Sequence, residues 1–178
     1  MKAFFCPTFE LPLPEGHAFP MAKYRRLYER VRDHAGRWGV TLHEPVSASD
    51  EALRRVHCPD YIERVRSGTL SPQEQRRIGF PWSEAMAKRA RRTVGGTIAA
   101  LDAALRGDGI AVNLAGGTHH AAFDRGGRIL EGDRHLRHAH RVAAFGTLED
   151  DVGHLGAAQA LRALVAVHPL ERVDDVRL

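Results

Sequence analysis

The amino-acid sequence predicts an α/β fold in which a parallel sheet is flanked by helices. Short apolar stretches with the length of strands alternate along the chain with longer stretches whose apolar residues recur at three- and four-residue spacing. Glycine or proline lies at most of the boundaries between these stretches. Because strands that alternate with helices are joined by crossover connections, the pattern favours parallel pairing of the strands.

The first elements follow this pattern. Residues 2–6 are a short apolar candidate strand, and residues 8–17, TFELPLPEGH, predict a proline-rich loop without regular structure. Residues 20–38 predict an amphipathic helix that Gly39 ends, and its apolar positions are Tyr24, Leu27, Tyr28, Val31, Ala35 and Trp38. A second short strand is predicted over residues 40–43.

Serine residues mark the starts of the next helices. Ser49 can cap a helix over residues 51–56, and a further helical turn is predicted over residues 61–65. Ser71 begins the sequence Ser-Pro-Gln-Glu, which has both the capping box and proline at the first helical position. Each of these helices is predicted to be short.

A long helix is predicted from Ser83 until Gly107 and Gly109. Its expected buried stripe consists of large and small apolar residues at helical spacing: Met86, Ala90, Val94, Ile98, Leu101 and Leu105. Residues 110–114 follow as a strand that is too apolar to be exposed on either face. We expect this strand to be central and buried in the sheet.

Length and composition indicate one soluble domain. The chain has 178 residues, of which 43% are hydrophobic, and this is enough for an ordinary core. No run approaches the roughly 18 apolar residues of a membrane span, and the apolar core of the N-terminal segment is too short for a secretory signal. The expected location is cytoplasmic, without a membrane partner.

The formal net charge of +4 suggests a second possible function. A basic chain can act as a non-catalytic interaction module that binds acidic partners or nucleic acid. The arginines, however, alternate with Glu and Asp along predicted helices, which is typical of a solvated helix surface with local ion pairs. Nucleic acid is therefore the less favoured partner, and the basic module is kept as the alternative function.

The stretch AVNLAGGTHH, residues 111–120, carries the candidate chemistry. Open parallel sheets bind ligands beyond the carboxyl ends of their strands, and residues 116–120 fall at such an end. Gly116 and Gly117 allow a sharp turn, so that His119 and His120 project from a rigid strand end. Since imidazoles titrate near neutral pH, one ring can accept a proton from an attacking water while the other stays charged and stabilises the oxyanion.

Several ordered motifs resemble the histone deacetylase family, which includes acetoin-utilisation proteins and acetylpolyamine amidohydrolases. The stretch GGTHHAAFDRGG resembles its tandem-histidine motif. Upstream, LPLPEGHAFPMAKYRRL resembles the N-terminal loop and first helix of the family. The stretch LRRVHCPDYIERV resembles its helix-turn with a His-x-x-x-Tyr step. The stretches RRIGFPWS and RTVGGTIAALDAAL together resemble the long helix before the histidine strand. The resemblance covers residues 1–127.

The resemblance implies an arginase/deacetylase-type fold and zinc-dependent hydrolysis of N-acetyl amides such as acetyl-lysine or acetylpolyamine. By motif position, His119 matches the charged, electrostatic member of the pair, and His120 matches the general base and acid. Gly116 and Gly117 match the substrate-binding turn. Zinc is the cofactor expected for the family.

The pattern of the family is lost after Gly127. Its Asp-x-His metal motif, its third metal aspartate and its transition-state tyrosine have no counterpart here, although a zinc hydrolase needs three protein ligands. In the register suggested by ILEGDR, Arg128 stands where the third aspartate should be. The His-rich segment with Asp133, His135, His138 and His140, and the pair Asp151 and His154, are weaker metal candidates than a solvated basic segment.

These observations divide the chain into residues 1–127, the N-terminal part of a deacetylase-like domain, and residues 128–178, a divergent and partly helical tail. Residues 157–167 are the predicted helix of this tail. A frame change, a deletion or a truncation would each explain the divergence. We expect the family metal site to bind no zinc, the chain to be inactive alone, and an exposed sheet edge to favour self-association.

Overall fold

A computed structural model describes residues 1–115 and 119–128. The strands in these ranges are β1 (Lys2–Phe4), β2 (Thr41–His43), β3 (Ala111–Asn113), β4 (His119–Ala122) and β5 (Arg125–Arg128). The α-helices are α1 (Lys23–Trp38), α2 (Asp50–Arg54), α3 (Pro59–Ser67), α4 (Pro72–Ile78) and α5 (Glu84–Arg106). A single 3-10 turn in these ranges spans Pro7–Phe9. None of the helices described is long and apolar enough to cross a membrane.

The first three strands form a parallel sheet in the order β2-β1-β3. The α/β class with a parallel sheet and flanking helices is thereby confirmed. The expectation that the strand before Gly116 is central is wrong for the described part of the sheet, where β1 is the middle strand. Ala111 and Asn113 are buried, whereas Ile110, predicted to be buried, is 51% exposed just before β3 begins.

The predicted helix boundaries are confirmed at their caps. Gly39 ends α1 with φ of 61°, in the left-handed region that favours glycine. Ser49 accepts a hydrogen bond from the Ala52 backbone N–H, and Ser83 caps α5 in the same way. Ser71 and Glu74 form both hydrogen bonds of the capping box. The loop prediction for residues 8–17 is wrong at its start, because the 3-10 turn includes Thr8 and Phe9.

The long helix α5 buries a different face from the one predicted. Its buried residues are Met86, Arg89, Gly95, Gly96, Ala100 and Ala104. Ala90, Val94 and Ile98 of the expected stripe are exposed. Small residues on the sheet-facing side allow the backbones to approach closely, and a Cβ at Gly95 would collide with the Val46 carbonyl of the β2–α2 loop. Close packing of the backbone, and not the burial of large apolar side chains, therefore decides which face of α5 is turned inward.

The hairpin formed by β4 and β5 is separate from the parallel sheet. The two strands pair antiparallel, with His119 opposite Arg128 and Ala122 opposite Arg125. The hairpin packs against α4 and the region of α2 and α3. The main core cluster lies between the parallel sheet and the helices, and its buried aromatic and aliphatic members include Phe5, Phe9, Leu11, Tyr24, Phe80 and Leu114.

Candidate functional site

The two predicted catalytic residues begin β4. His119 is half-buried, and His120 is 6% exposed. Successive residues of a strand project to opposite faces, so the two rings have different surroundings. Gly116 and Gly117, the predicted substrate-binding turn, lie outside the described residues.

His119 is held at the end of α4. Its Nε2 N–H donates to the Ile78 carbonyl at 2.7 Å. Ile78 is the last residue of α4, where helical carbonyls have no partner within the helix. The His119 ring also lies 5.1 Å from the ring of Phe80, measured between centroids. A helix end and an aromatic ring thus fix the orientation of this imidazole.

The other end of β4 is held by the segment between α2 and α3. The Nδ1 N–H of His57 donates to the Ala122 carbonyl at 2.6 Å, and the Cys58 backbone N–H donates to the Phe123 carbonyl at 2.7 Å. Cys58 is the N-cap of α3, whose N–H groups need partners outside the helix. Burial lowers the pKa of His57, which favours the neutral ring.

A tyrosine of α3 contacts the second strand of the hairpin. A Cβ at Gly126 would lie 2.7 Å from the Tyr61 hydroxyl oxygen, so glycine is required for this approach. Burial raises the pKa of Tyr61, and a backbone hydrogen bond from Gly126 partly opposes this effect. His57 and Tyr61, which the sequence shows as a His-x-x-x-Tyr step, therefore contact both strands of the hairpin.

A buried arginine and an exposed lysine border the site. The Arg89 guanidinium, 6% exposed, lies 5.6 Å from the centroid of Phe80 and 5.2 Å from that of Tyr24, and its Nε N–H donates to the Phe9 carbonyl. Burial and the charge of Arg89 lower the pKa of Lys23. Within residues 1–115 and 119–128, neither cation pairs with a carboxylate. The Arg89 guanidinium therefore lies next to Phe80, the ring that contacts His119.

Asn113 is a site residue that the sequence reasoning missed. Its side chain is 5% exposed at the end of β3 and bonds both to α5 and to the backbone of Ala115. The signal was present in the sequence, since an asparagine inside the apolar run AVNLA must find hydrogen-bond partners when it is buried.

The described residues do not fit a metal ion. In residues 1–115 and 119–128, no three His, Cys, Asp or Glu side chains are placed so that they could hold one. The weaker candidates Asp133, His135, His138 and His140 lie outside the described residues, as do Asp151 and His154. The absence of zinc from the whole chain accordingly stays a prediction.

A family model and two curated proteins match part of this chain. A family model for the histone deacetylase domain matches residues 17–127, more than half of the chain. An uncharacterized protein of Picosynechococcus sp. is 42% identical over 115 residues, which are 65% of this chain and 38% of that protein. The acetoin utilization protein AcuC of Bacillus subtilis is 38% identical over 85 residues, which are 43% of this chain and 22% of AcuC. The chain matches less than two fifths of the length of each relative.

Proposed function

The chain belongs to the histone deacetylase family, and we propose that residues 1–127 supply the proton-transfer side of a centre that hydrolyses N-acetyl amides. The substrates would be acetyl-lysine or acetylpolyamines, and the location would be the cytoplasm. In this proposal His119 and His120 are the catalytic pair, and the turn with Gly116 and Gly117 binds substrate. The family resemblance implies zinc as the cofactor.

The different surroundings of the two histidines carry the proposal. His119 donates Nε2–H to a carbonyl oxygen, and an acceptor of this kind stabilises a protonated, charged ring. Such a ring can stabilise the negative oxygen that develops when water adds to the amide carbonyl. His120 can take the proton of the attacking water and return it to the leaving amine. Two titratable groups in unlike environments are suited to these two roles.

Proton transfer and charge stabilisation by two histidines are not sufficient for an amide hydrolase. General acid–base catalysis contributes about 10² to 10⁴ in rate, whereas enzymes accelerate their reactions by about 10⁶-fold or more. The described residues offer no metal cluster to supply the difference. We therefore propose that the chain alone binds no zinc at the family site and does not deacetylate.

The test is an assay of the full chain on an acetyl-lysine peptide and on an acetylpolyamine, with and without added zinc. The expected result is no turnover above buffer in either condition. His34→Ala is a matched control for His120→Ala, because His34 is a partly exposed histidine of α1, outside the hairpin. Zinc-dependent turnover that His120→Ala abolishes and His34→Ala retains would refute inactivity, and Asp133, His135 and Asp151 would be the next residues to substitute.

The alternative of a basic interaction module has less support. Many arginines of the described helices are paired with carboxylates, including Arg64 with Asp60 and Glu74, and Arg91 with Asp50. Paired guanidinium groups are less available to phosphates. Binding of nucleic acid would weaken steeply with added salt, whereas an acetyl-amide pocket would hardly respond.

Self-association is a further part of the proposal. In the part of the sheet that the structure describes, β3 pairs on one side with β1 and has no strand on its other side. Unpaired strand edges recruit other chains. Light scattering should show oligomers that grow with concentration, and a monodisperse monomer at high concentration would contradict this.

A further inference from the structure

We infer that Asn113 is a positioning residue that sets the direction in which the chain leaves β3 toward the histidine pair. The inference rests on the proposed function, because that proposal assigns proton transfer to His119 and His120. Asn113 itself does not carry out chemistry. It acts through the backbone that leads to the two rings.

The amide nitrogen of Asn113 ties the strand end to α5. Nδ2 donates to the Thr93 carbonyl at 2.9 Å and to the Thr97 hydroxyl at 3.1 Å. Gly96 makes room for this contact, since a Cβ there would lie 2.9 Å from Oδ1 of Asn113. Both amide protons are thus used by one helix, and the side chain has a single well-defined position.

The amide oxygen of Asn113 controls the backbone that follows. Leu114 N–H donates to the Phe4 carbonyl at 2.9 Å, which extends the pairing of β3 with β1 by one residue. The next N–H, that of Ala115, donates to Oδ1 of Asn113 at 3.2 Å. The side chain therefore replaces the neighbouring strand as hydrogen-bond partner, which is the usual way in which asparagine turns a chain.

The chain is fixed again a few residues later. Residues 116–118 separate Ala115 from His119, and His119 is bonded to the Ile78 carbonyl. The link between these two fixed points is only three residues long, so a change in the direction of the chain at Ala115 has to be taken up over a short stretch or passed on to β4. Loss of the Asn113 contacts should therefore alter how the two imidazoles are presented, even when the helices remain folded.

The readout is the two-dimensional NMR spectrum of the imidazole nitrogens in the full-length chain, recorded as a function of pH. Chemical shifts of these nitrogens report tautomer and protonation directly. In Asn113→Ala, we expect the pKa of at least one ring of the pair to move by about 0.3 unit or more, with a change in tautomer signals. Asn113→Ser retains a neutral acceptor for the Ala115 N–H and should recover part of this change.

Two further variants separate positioning from stability. Thr97→Val removes one acceptor of Nδ2 and keeps the Ala115 contact, so its effect should be smaller than that of Asn113→Ser. Ala100→Gly weakens the same buried face of α5 without touching Asn113, so it should lower the unfolding midpoint and leave the imidazole signals unchanged. The expected order of spectral change is Asn113→Ala, Asn113→Ser, Thr97→Val, Ala100→Gly.

Imidazole signals of Asn113→Ala that match those of Ala100→Gly would overturn the inference, because Asn113 would then be structural alone. Should Asn113→Ala fail to fold, Asn113→Ser decides: unchanged signals of His119 and His120 overturn the inference, and shifted signals support it. None of these spectra depends on turnover. The inference can therefore fail while the proposed function stands, and the deacetylase assay can fail while the imidazole shifts stand.

Discussion

The parallel sheet and the β4–β5 hairpin are stabilised by different kinds of contact. The sheet packs on α5 through small residues, and Gly95 and Gly96 bring the backbone of the helix against the loop after β2 and against Asn113. The hairpin is held mainly at its backbone carbonyls, which accept hydrogen bonds from His57 and from the Cys58 N–H. The histidine pair begins the first strand of the hairpin and follows β3 closely in the chain, so its geometry depends on both regions. A perturbation of the sheet should unfold the chain, whereas a perturbation of the hairpin should act locally.

The largest effect is expected from Gly95→Ala. A Cβ at Gly95 meets the carbonyl oxygen of Val46, which is backbone and cannot move cheaply, so the free energy of unfolding should fall by about 1–3 kcal/mol. Gly36→Ala in α1 is the matched control, because a Cβ there meets nothing within 4 Å. The control should stabilise by about 0.5–1 kcal/mol. Urea unfolding measures both, and equal effects would contradict the role of close packing at α5.

His57→Ala should loosen the hairpin and leave the sheet intact. The substitution leaves the Ala122 carbonyl without its side-chain donor, at a cost on the order of 1–2 kcal/mol. Amide hydrogen exchange in β4 and β5 should become faster, while exchange in β1 and β3 stays as in the parent chain. His34→Ala again serves as the control. Equal acceleration in both regions would mean that the sheet and the hairpin unfold as one unit.

A double-mutant cycle tests the contact between Tyr61 and Gly126. Gly126→Ala forces the phenol oxygen away and should destabilise the hairpin by about 1 kcal/mol. Tyr61→Phe removes that oxygen and makes room for the new methyl group. The double variant should therefore be more stable than the sum of the two single effects. Strict additivity in the same exchange experiment would show that the two residues do not interact.

Acidification should lower the stability of the β4–β5 hairpin in two small steps, one from His57 and one from the Arg64–Glu74 ion pair. Burial holds the pKa of His57 below 6.5, so its contribution is complete above that pH and is lost as the pH falls through the lowered value. The Arg64 guanidinium lowers the pKa of Glu74 from 4.5 to about 2, so the link between α3 and α4 is lost between those values. His57→Ala should lack the first step and Glu74→Gln the second. Protection of the β4 amides, corrected for the intrinsic pH dependence of exchange, that does not change over this pH range would contradict both assignments.

The sequence predicts the sheet region better than the hairpin because the sheet region has local signals. Serine caps and a glycine in the left-handed region locate the helix ends from single residues, and they are confirmed at Ser49, Ser71 and Gly39. The hairpin has no such signal. Its two-residue turn, Phe123 and Asp124, contains neither glycine nor asparagine, and no non-glycine residue in the described ranges has a positive φ.

The buried face of α5 could not be predicted from apolar periodicity. Two faces of this helix are apolar, one with large residues such as Val94 and Ile98 and one with Gly96, Ala100 and Ala104. Hydrophobicity favours the first face, but close backbone approach and the Asn113 contact select the second. For the site, a motif was enough to propose His119 and His120. The groups that hold these two rings could not be predicted, because main-chain groups such as the Ile78 carbonyl have no sequence signature.

The central claim is that this chain supplies a competent histidine pair and lacks the metal-binding part of the centre. The most direct measurement joins residues 1–127 to the part of the Picosynechococcus relative that this chain does not match, and assays zinc-dependent deacetylation beside the intact relative. We expect turnover in this chimera, a loss of about 10²-fold or more with His120→Ala, and none with His34→Ala. A folded chimera that is inactive, or one whose turnover survives His120→Ala, would contradict the account.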